Sequence, residues 1–250
     1  GGPYSSANKL TFSNGTMAAT PGANLTQAKV QMQTAGPRQY SNPSPAPGGT
    51  PYRWTDGFKE EDLKAGYYQG GGNPSYHSAT QKIDFITDQT SIVPGGGLPE
   101  NGSAFAGVNS NSIKTIISGG SPSGENFIKF VYTTETSSNL GSMPGRRWLN
   151  NDMGYGTESV GYVTGGMSEP SNPGFYHSDT QKIEYATDTA SEVPGANSNQ
   201  PLREMGAFGN IDHTIGYFVG GITKSPTYAV SRIQKMTYST ETVANTPANM

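Results

Sequence analysis

The sequence predicts an all-β fold, laid out as one short antiparallel unit repeated in series. Three observations carry this. Glycine (34) and proline (18) are abundant in the 250 residues while hydrophobic residues make up only 32%, a balance that suits short strands joined by tight turns. The stretch "YHSATQKIDFITDQTSIVPGG" at Tyr76–Gly96 returns, nearly word for word, as "YHSDTQKIEYATDTASEVPGA" at Tyr176–Ala196. Finally, a lysine-centred segment recurs at Lys9, Lys82, Lys129, Lys182 and Lys235, at intervals of 73, 47, 53 and 53.

Each unit reads as four strands, here a to d. Strand a carries a small-and-aromatic motif: Gly102-Ser103-Ala104-Phe105-Ala106-Gly107, Gly206-Ala207-Phe208-Gly209 and, more loosely, Met153-Gly154-Tyr155-Gly156. Strand b is aromatic or aliphatic and ends in paired glycine, as in Gly66-Tyr67-Tyr68-Gln69-Gly70-Gly71, Ile116-Ile117-Ser118-Gly119-Gly120, Gly161-Tyr162-Val163-Thr164-Gly165-Gly166 and Gly216-Tyr217-Phe218-Val219-Gly220-Gly221. Glycine there permits positive φ and close approach of neighbouring backbone. Strand c holds the lysine. By two-residue alternation the side chains one and three positions on share a face: Leu10/Phe12, Ile83/Phe85, Phe130/Tyr132, Ile183/Tyr185 and Met236/Tyr238. That face is apolar in every copy and should pack between neighbouring sheets. Polar tetrads such as Thr87-Asp88-Gln89-Thr90 and Thr187-Asp188-Thr189-Ala190 form a tight c–d turn, and strand d runs on to Pro-Gly.

Four strands repeated at about fifty residues match a β-propeller of the kelch type, with its blades arranged around an axis. The string aromatic-x-Gly-Gly followed by Lys-Ile-x-[Phe/Tyr]-x-Thr-Asp resembles the kelch-like repeats in structural proteins of tailed bacteriophages, the marine cyanophages in particular. The resemblance spans nearly the whole chain apart from one insertion. It implies a fibre, nozzle or decoration module located in the virion, with other virion proteins or further copies of itself as partners, and no catalysis. The tryptophan usual downstream in eukaryotic kelch domains is missing, which argues against an intracellular adaptor.

The units divide as a half blade at 1–25 holding strands c and d only, a blade at 26–98 interrupted by an insertion at about 34–62, and blades at 99–145, 146–200 and 201–250. Four full blades and a half do not close a ring. An open end leaves unpaired strand edges, so the missing strands a and b are expected from upstream sequence or from another subunit, and residues 1–250 alone are expected to be poorly soluble. The insertion is rich in proline and glycine and carries Tyr40, Tyr52, Trp54 and Phe58. Loops of such length are often functional, and these four aromatics are the candidate partner contact, against a neighbouring protein or the chain's own surface.

Composition narrows the chemistry. Charged residues are 14% of the chain and the net charge is −3, which offers no basic stripe for nucleic acid. No apolar run approaches membrane-spanning length. Without cysteine there is neither a disulfide nor a thiolate site. His77 and His177 sit in matching loops two units apart, and the third histidine, His213, occupies a different station, so three convergent metal donors are not expected. Asp88, Glu135, Asp188 and Glu241 recur at the c–d turn, where capping of the turn backbone is the expected use rather than acid–base work. Arg146-Arg147-Trp148, just ahead of a strand, is expected to pack at the rim. No catalytic, metal or cofactor-binding residue is assigned.

The alternative to assembly is carbohydrate binding for host-cell attachment. The b–c loops Gly72–Ala79, Met167–Asp179 and Ile222–Ser231 share one face by strand parity. They offer Tyr76, His77, Phe175, Tyr176, His177 and Tyr228 as candidate contacts to a host-surface glycan.

Overall fold

The computed structural model describes residues 8–11, 16–19, 33–35, 65–70, 77–99, 106–120, 126–145, 155–168, 175–210, 213–224 and 228–249. It is all-β. A hairpin of β1 (Asn8–Thr11) and β2 (Thr16–Ala19) comes first, followed by four antiparallel sheets of four strands each. The first sheet is β3 (Gln33–Ala35), β4 (Ala65–Gln69), β5 (Thr80–Asp84) and β6 (Gln89–Ile92). The second is β7 (Gly107–Ser110), β8 (Lys114–Ser118), β9 (Asn126–Val131) and β10 (Thr136–Ser142). The third holds β11 (Tyr155–Gly156) and β12 (Val160–Thr164), then β15 (Thr180–Glu184) and β16 (Thr189–Glu192), with the two-stranded β13 (Met167–Ser168) and β14 (Phe175–Tyr176) set into its b–c connection. The fourth is β17 (Gly206–Gly209), β18 (Ile215–Val219), β19 (Arg232–Thr237) and β20 (Thr242–Asn249). In every sheet neighbours in sequence are neighbours in space, the a-b-c-d meander that the motifs predict.

One expectation shifts. Strand a of the second sheet begins at Gly107, the last residue of the small-and-aromatic motif, and runs on to Ser110. Val108 and Ser110 pair there with Ile117 and Thr115, and all four strand residues are buried. Thr34 and Ala35, at the start of the expected insertion, belong to β3, and the chain from β3 leads next to its paired strand β4. Tyr40, Tyr52, Trp54 and Phe58 fall outside the described residues, as do Tyr76 and Arg146-Arg147-Trp148.

Register is the same in all four sheets. Tyr67 lies opposite Lys82, Ile116 opposite Lys129, Tyr162 opposite Lys182 and Tyr217 opposite Lys235. This row marks the forward face of each sheet, which in the first three is turned toward the next sheet in sequence. The residues one and three beyond each lysine face backward. Phe130 is fully buried, with its ring centroid 4.8 Å from that of Tyr67 in the sheet before, and Tyr132 stacks on the same tyrosine at 5.6 Å. Ile116, Val163, Ile183 and Tyr185 form the core between the second and third sheets. Tyr155, Tyr162, Phe218, Met236 and Tyr238 form that between the third and fourth, where Tyr162 and Tyr238 lie nearly parallel at 5.6 Å. Burying one such side chain contributes about 1.5–3 kcal/mol, so the apolar stripe of strand c is the main cohesive element. The exception is the first sheet, where Phe85 remains 47% exposed.

Glycine is required at two stations. A Cβ on Gly216 would stand 2.3 Å from Tyr155 Cδ2 and 2.8 Å from the Tyr238 hydroxyl, and one on Gly161 would stand 2.6 Å from the Tyr185 hydroxyl. Bare backbone in strand b is what lets the tyrosine lie across it. The glycines closing strand b are left-handed: Gly165 and Gly166 have φ of 69° and 95°, Gly220 and Gly221 of 66° and 103°. They admit the backbone of residues 202–203, since Gly166 N donates to the Leu202 carbonyl at 2.8 Å.

Candidate functional site

The c–d turn was expected to hold its carboxylates for itself. Instead three of the four, Glu135, Asp188 and Glu241, reach to the preceding sheet. Asp88, Glu135, Asp188 and Glu241 all occupy left-handed backbone positions, at φ of 54°, 52°, 56° and 49°. This station is uncommon for residues other than glycine, and it swings the side chain out of the turn. Glu135 Oε1 accepts from Lys82 Nζ at 2.6 Å and from the Tyr67 hydroxyl at 3.0 Å. Glu241 Oε1 accepts from Lys182 Nζ and the Tyr162 hydroxyl, both at 2.9 Å. Asp188 takes a different pair. Lys129 Nζ lies 2.5 Å from Oδ2, while Lys114 Nζ contacts Oδ1 and donates to the Tyr185 carbonyl at 2.6 Å. Ile116 fills the tyrosine station of the second sheet, and Lys114, two residues earlier on the same face, supplies the second donor.

Electrostatics follow from this geometry. The hydrogen bond from Lys82 holds the Glu135 carboxyl below its ordinary range, against the opposing push of partial burial. Burial pushes the Asp188 carboxyl up, but the hydrogen bonds from Lys114 and Lys129 outweigh it and the net shift is downward. The Glu241 carboxyl is likewise lowered, by Lys182 and Tyr162 working against burial. Tyr67 and Tyr162 are pushed far above a free phenol, first by burial and then by the carboxylates beside them. Asp84 does cap its own turn, accepting from the backbone of Ile86 at 2.9 Å and Thr87 at 2.8 Å.

The Pro-Gly after strand d completes the junction. Ser137 N donates to the Gly95 carbonyl at 3.2 Å and Ser137 Oγ to that of Gly96 at 2.8 Å, which ties the end of one sheet to strand d of the next. A Cβ on Gly95 would sit 3.3 Å from the Glu135 carbonyl oxygen, and one on Gly195 would sit 3.0 Å from that of Glu241. At Glu135 and at Glu241, lysine, tyrosine and glycine of one sheet thus surround the acidic turn of its successor. The two nearly identical stretches, Tyr76–Gly96 and Tyr176–Ala196, supply the lysine and the glycine of these two grips, and the second also supplies Asp188.

The glycan candidates lie elsewhere, on the b–c loops. Phe175 and Tyr176 form β14, paired with Met167 and Ser168. Arg203 Nε donates to the Tyr176 hydroxyl at 2.6 Å, and its guanidinium lies 5.4 Å from the ring centroid. Lys224, from the b–c loop of the fourth sheet, holds its ammonium 5.2 Å from the Phe175 centroid, so two of the three loops do meet. Phe175 is 70% exposed and Tyr228, four residues past Lys224, is 51% exposed. His177 is half-buried with Nδ1 at 3.3 Å from Asp179, while its main chain joins Gly166 and Leu202; Nε2 is buried without a hydrogen-bond partner. His77 is half-buried in the equivalent loop of the first sheet. Arg203 and Lys224 escaped sequence reasoning because neither belongs to a repeated motif.

Among the described residues no group of three or more His, Asp or Glu is placed to hold a metal ion, and no helix is long and apolar enough to cross a membrane. No family model matches the chain, and no curated protein matches it either.

Proposed function

We propose that the chain is a non-enzymatic structural module of a tailed-phage virion (tail, fibre or decoration), arranged as a kelch-like β-propeller and working through protein–protein contact. The observation that carries this reading is the use made of the recurrent charged residues. Three of the four acidic turn residues, with five lysines and tyrosines of the forward rows and a sixth donor at Lys114's station among them, are committed to holding one sheet against the next. A chain that invests its repeated chemistry in joining sheets is suited to building an assembly. The uniform forward-to-backward stacking is what successive blades of a propeller require. Antibodies raised against the chain should label purified particles of the phage that encodes it, and the chain should recur there in fixed proportion to other virion proteins. Particles devoid of it would overturn the reading.

A second reading has its own observation. Phe175 and Tyr228 stand exposed beside Lys224 and Arg203, a mixture of apolar ring and polar head that suits a sugar face. Retention of the chain on a glycan array, lost in Phe175→Ala, would support host attachment. An array that retains nothing would remove it.

A further inference from the structure

We propose that the b–c loops of the third and fourth sheets bind an acidic glycan, its sugar rings lying on Phe175 and Tyr228 and its carboxylate or sulfate meeting Lys224. This rests on the sugar-binding reading and names the class of sugar. Both loops belong to sheets that pack on each other within the chain, so the site does not depend on how either end of the sequence continues.

The two loops are copies of one small hairpin. In the third sheet Met167 and Ser168 pair with Tyr176 and Phe175, and His177 N donates to the Gly166 carbonyl at 2.9 Å. In the fourth, Ile222 bridges to Ala229, and Val230 N donates to the Gly221 carbonyl at 2.9 Å. Counted from these matched bonds, Phe175 and Tyr228 occupy the same station, two residues ahead of the bonded N–H. Both rings are exposed there, and neither belongs to the core on either side of the third sheet. An open aromatic placed at one station in two successive units is a repeated surface feature, and it suits a ligand long enough to cross from one unit to the next.

Charge decides which sugar. Thr223 N donates to the Tyr228 carbonyl at 3.0 Å, which closes the fourth-sheet hairpin and fixes the root of Lys224. From there the ammonium crosses to the third-sheet hairpin and lies 5.2 Å from the Phe175 ring centroid. Arg203 has a different task. Its Nε is spent on the Tyr176 hydroxyl, its NH1 meets the Glu204 carboxylate, and its guanidinium covers the Tyr176 ring, so it anchors β14 with its charge already answered. Lys224 is thus the cation presented at the exposed ring. An ammonium carries three donors, so it can take an anion in addition to the contacts it makes within the chain. Burial of a sugar's C–H face on the two rings supplies affinity, and the lysine supplies preference for a negatively charged sugar over a neutral one. The overall charge of the chain, −3, would by itself favour the neutral sugar.

An array carrying uronate and sulfated oligosaccharides beside their carboxyl-reduced and desulfated counterparts tests this. The acidic member of each retained pair should be held more strongly, and sodium chloride at about 0.5 M should erase the difference. Lys224→Gln should lower the ratio of acidic to neutral binding by about two- to fivefold, the range an exposed ion pair supplies, while Lys224→Arg should keep it. Phe175→Ala should weaken both members alike. Should Lys224→Gln lower the thermal melt, the salt series and Lys224→Arg carry the comparison. Preference for carboxylate alone or for sulfate alone supports the proposal and tells the two anions apart. Equal retention of acidic and neutral partners, or a preference indifferent to Lys224→Gln, overturns it and leaves the sugar-binding reading standing. An array that holds nothing overturns both.

Discussion

The ammonium of Lys182 sits 2.9 Å from Oε1 of Glu241, and the Tyr162 hydroxyl donates to that same oxygen. Lys182 belongs to β15 of the third sheet and Glu241 to the turn before β20 of the fourth, so one carboxylate fastens two sheets at a point where neither shares a strand. The same device recurs at Glu135, and with two lysines at Asp188.

Asp188→Asn should be the most damaging of the three neutralisations. It leaves Lys114 and Lys129 facing each other across a half-buried site with no countercharge. A hydrogen bond to a charged group contributes about 1.5–3 kcal/mol, and a loss of that order is expected in urea denaturation. Pairing the change with Lys114→Met in a double-mutant cycle should reveal coupling of about 0.5–3 kcal/mol.

Acid should loosen the stack in a defined window. The carboxyls of Glu135, Asp188 and Glu241 are lowered in the folded chain, so folding binds fewer protons than the unfolded state does at these sites. The stability they contribute is complete above the unfolded carboxyl values, about 4, and is lost as pH falls through the lowered folded values. Urea midpoints should be flat from pH 7 to 5 and decline below about 4. The triple variant Glu135→Gln, Asp188→Asn, Glu241→Gln should decline less steeply.

Gly216→Ala should destabilise by about 1–3 kcal/mol, the usual cost of overpacking, because the new methyl would meet the rings of Tyr155 and Tyr238. Adding Tyr238→Leu, which removes one of those rings' hydroxyls and shortens the side chain, should recover part of the loss. Thermal melts of both variants check this.

Phe130→Ala should cost about 3–5 kcal/mol. The ring is fully buried against Tyr67 and Tyr132, with no polar group to compensate. Near-ultraviolet circular dichroism should report the loosened tyrosines. An equal change at Phe85, exposed in the isolated chain, should be far milder, and comparison of the two variants measures how much the covering sheet contributes.

Much of the meander was legible in the sequence because strand c alternates strictly and strand b closes on paired glycine, two local signals that survive in each copy. Strand a of the second sheet was misplaced by a few residues because its motif consists of small residues, which mark close packing without fixing where pairing begins. The acidic station was visible as a recurrence, yet its use was not. A turn carboxylate has good local partners on paper, as Asp84 does in fact, and nothing in the linear order says that a lysine of another sheet stands opposite. One signal was available: where Ile116 replaces tyrosine, a lysine appears two positions earlier on the same face.

The order of these junctions also bears on which gains and losses of sheets the chain can absorb. Glutamate turns meet a lysine with a tyrosine, and the internal aspartate turn meets two lysines, so units work as unlike doublets. Excising the second and third sheets together would bring Lys82 and Tyr67 against Glu241, the same type of acceptor they hold in Glu135. Removing the second sheet alone would set that tyrosine row against the shorter Asp188. Growth or loss in matched pairs is thus the change this architecture tolerates most readily.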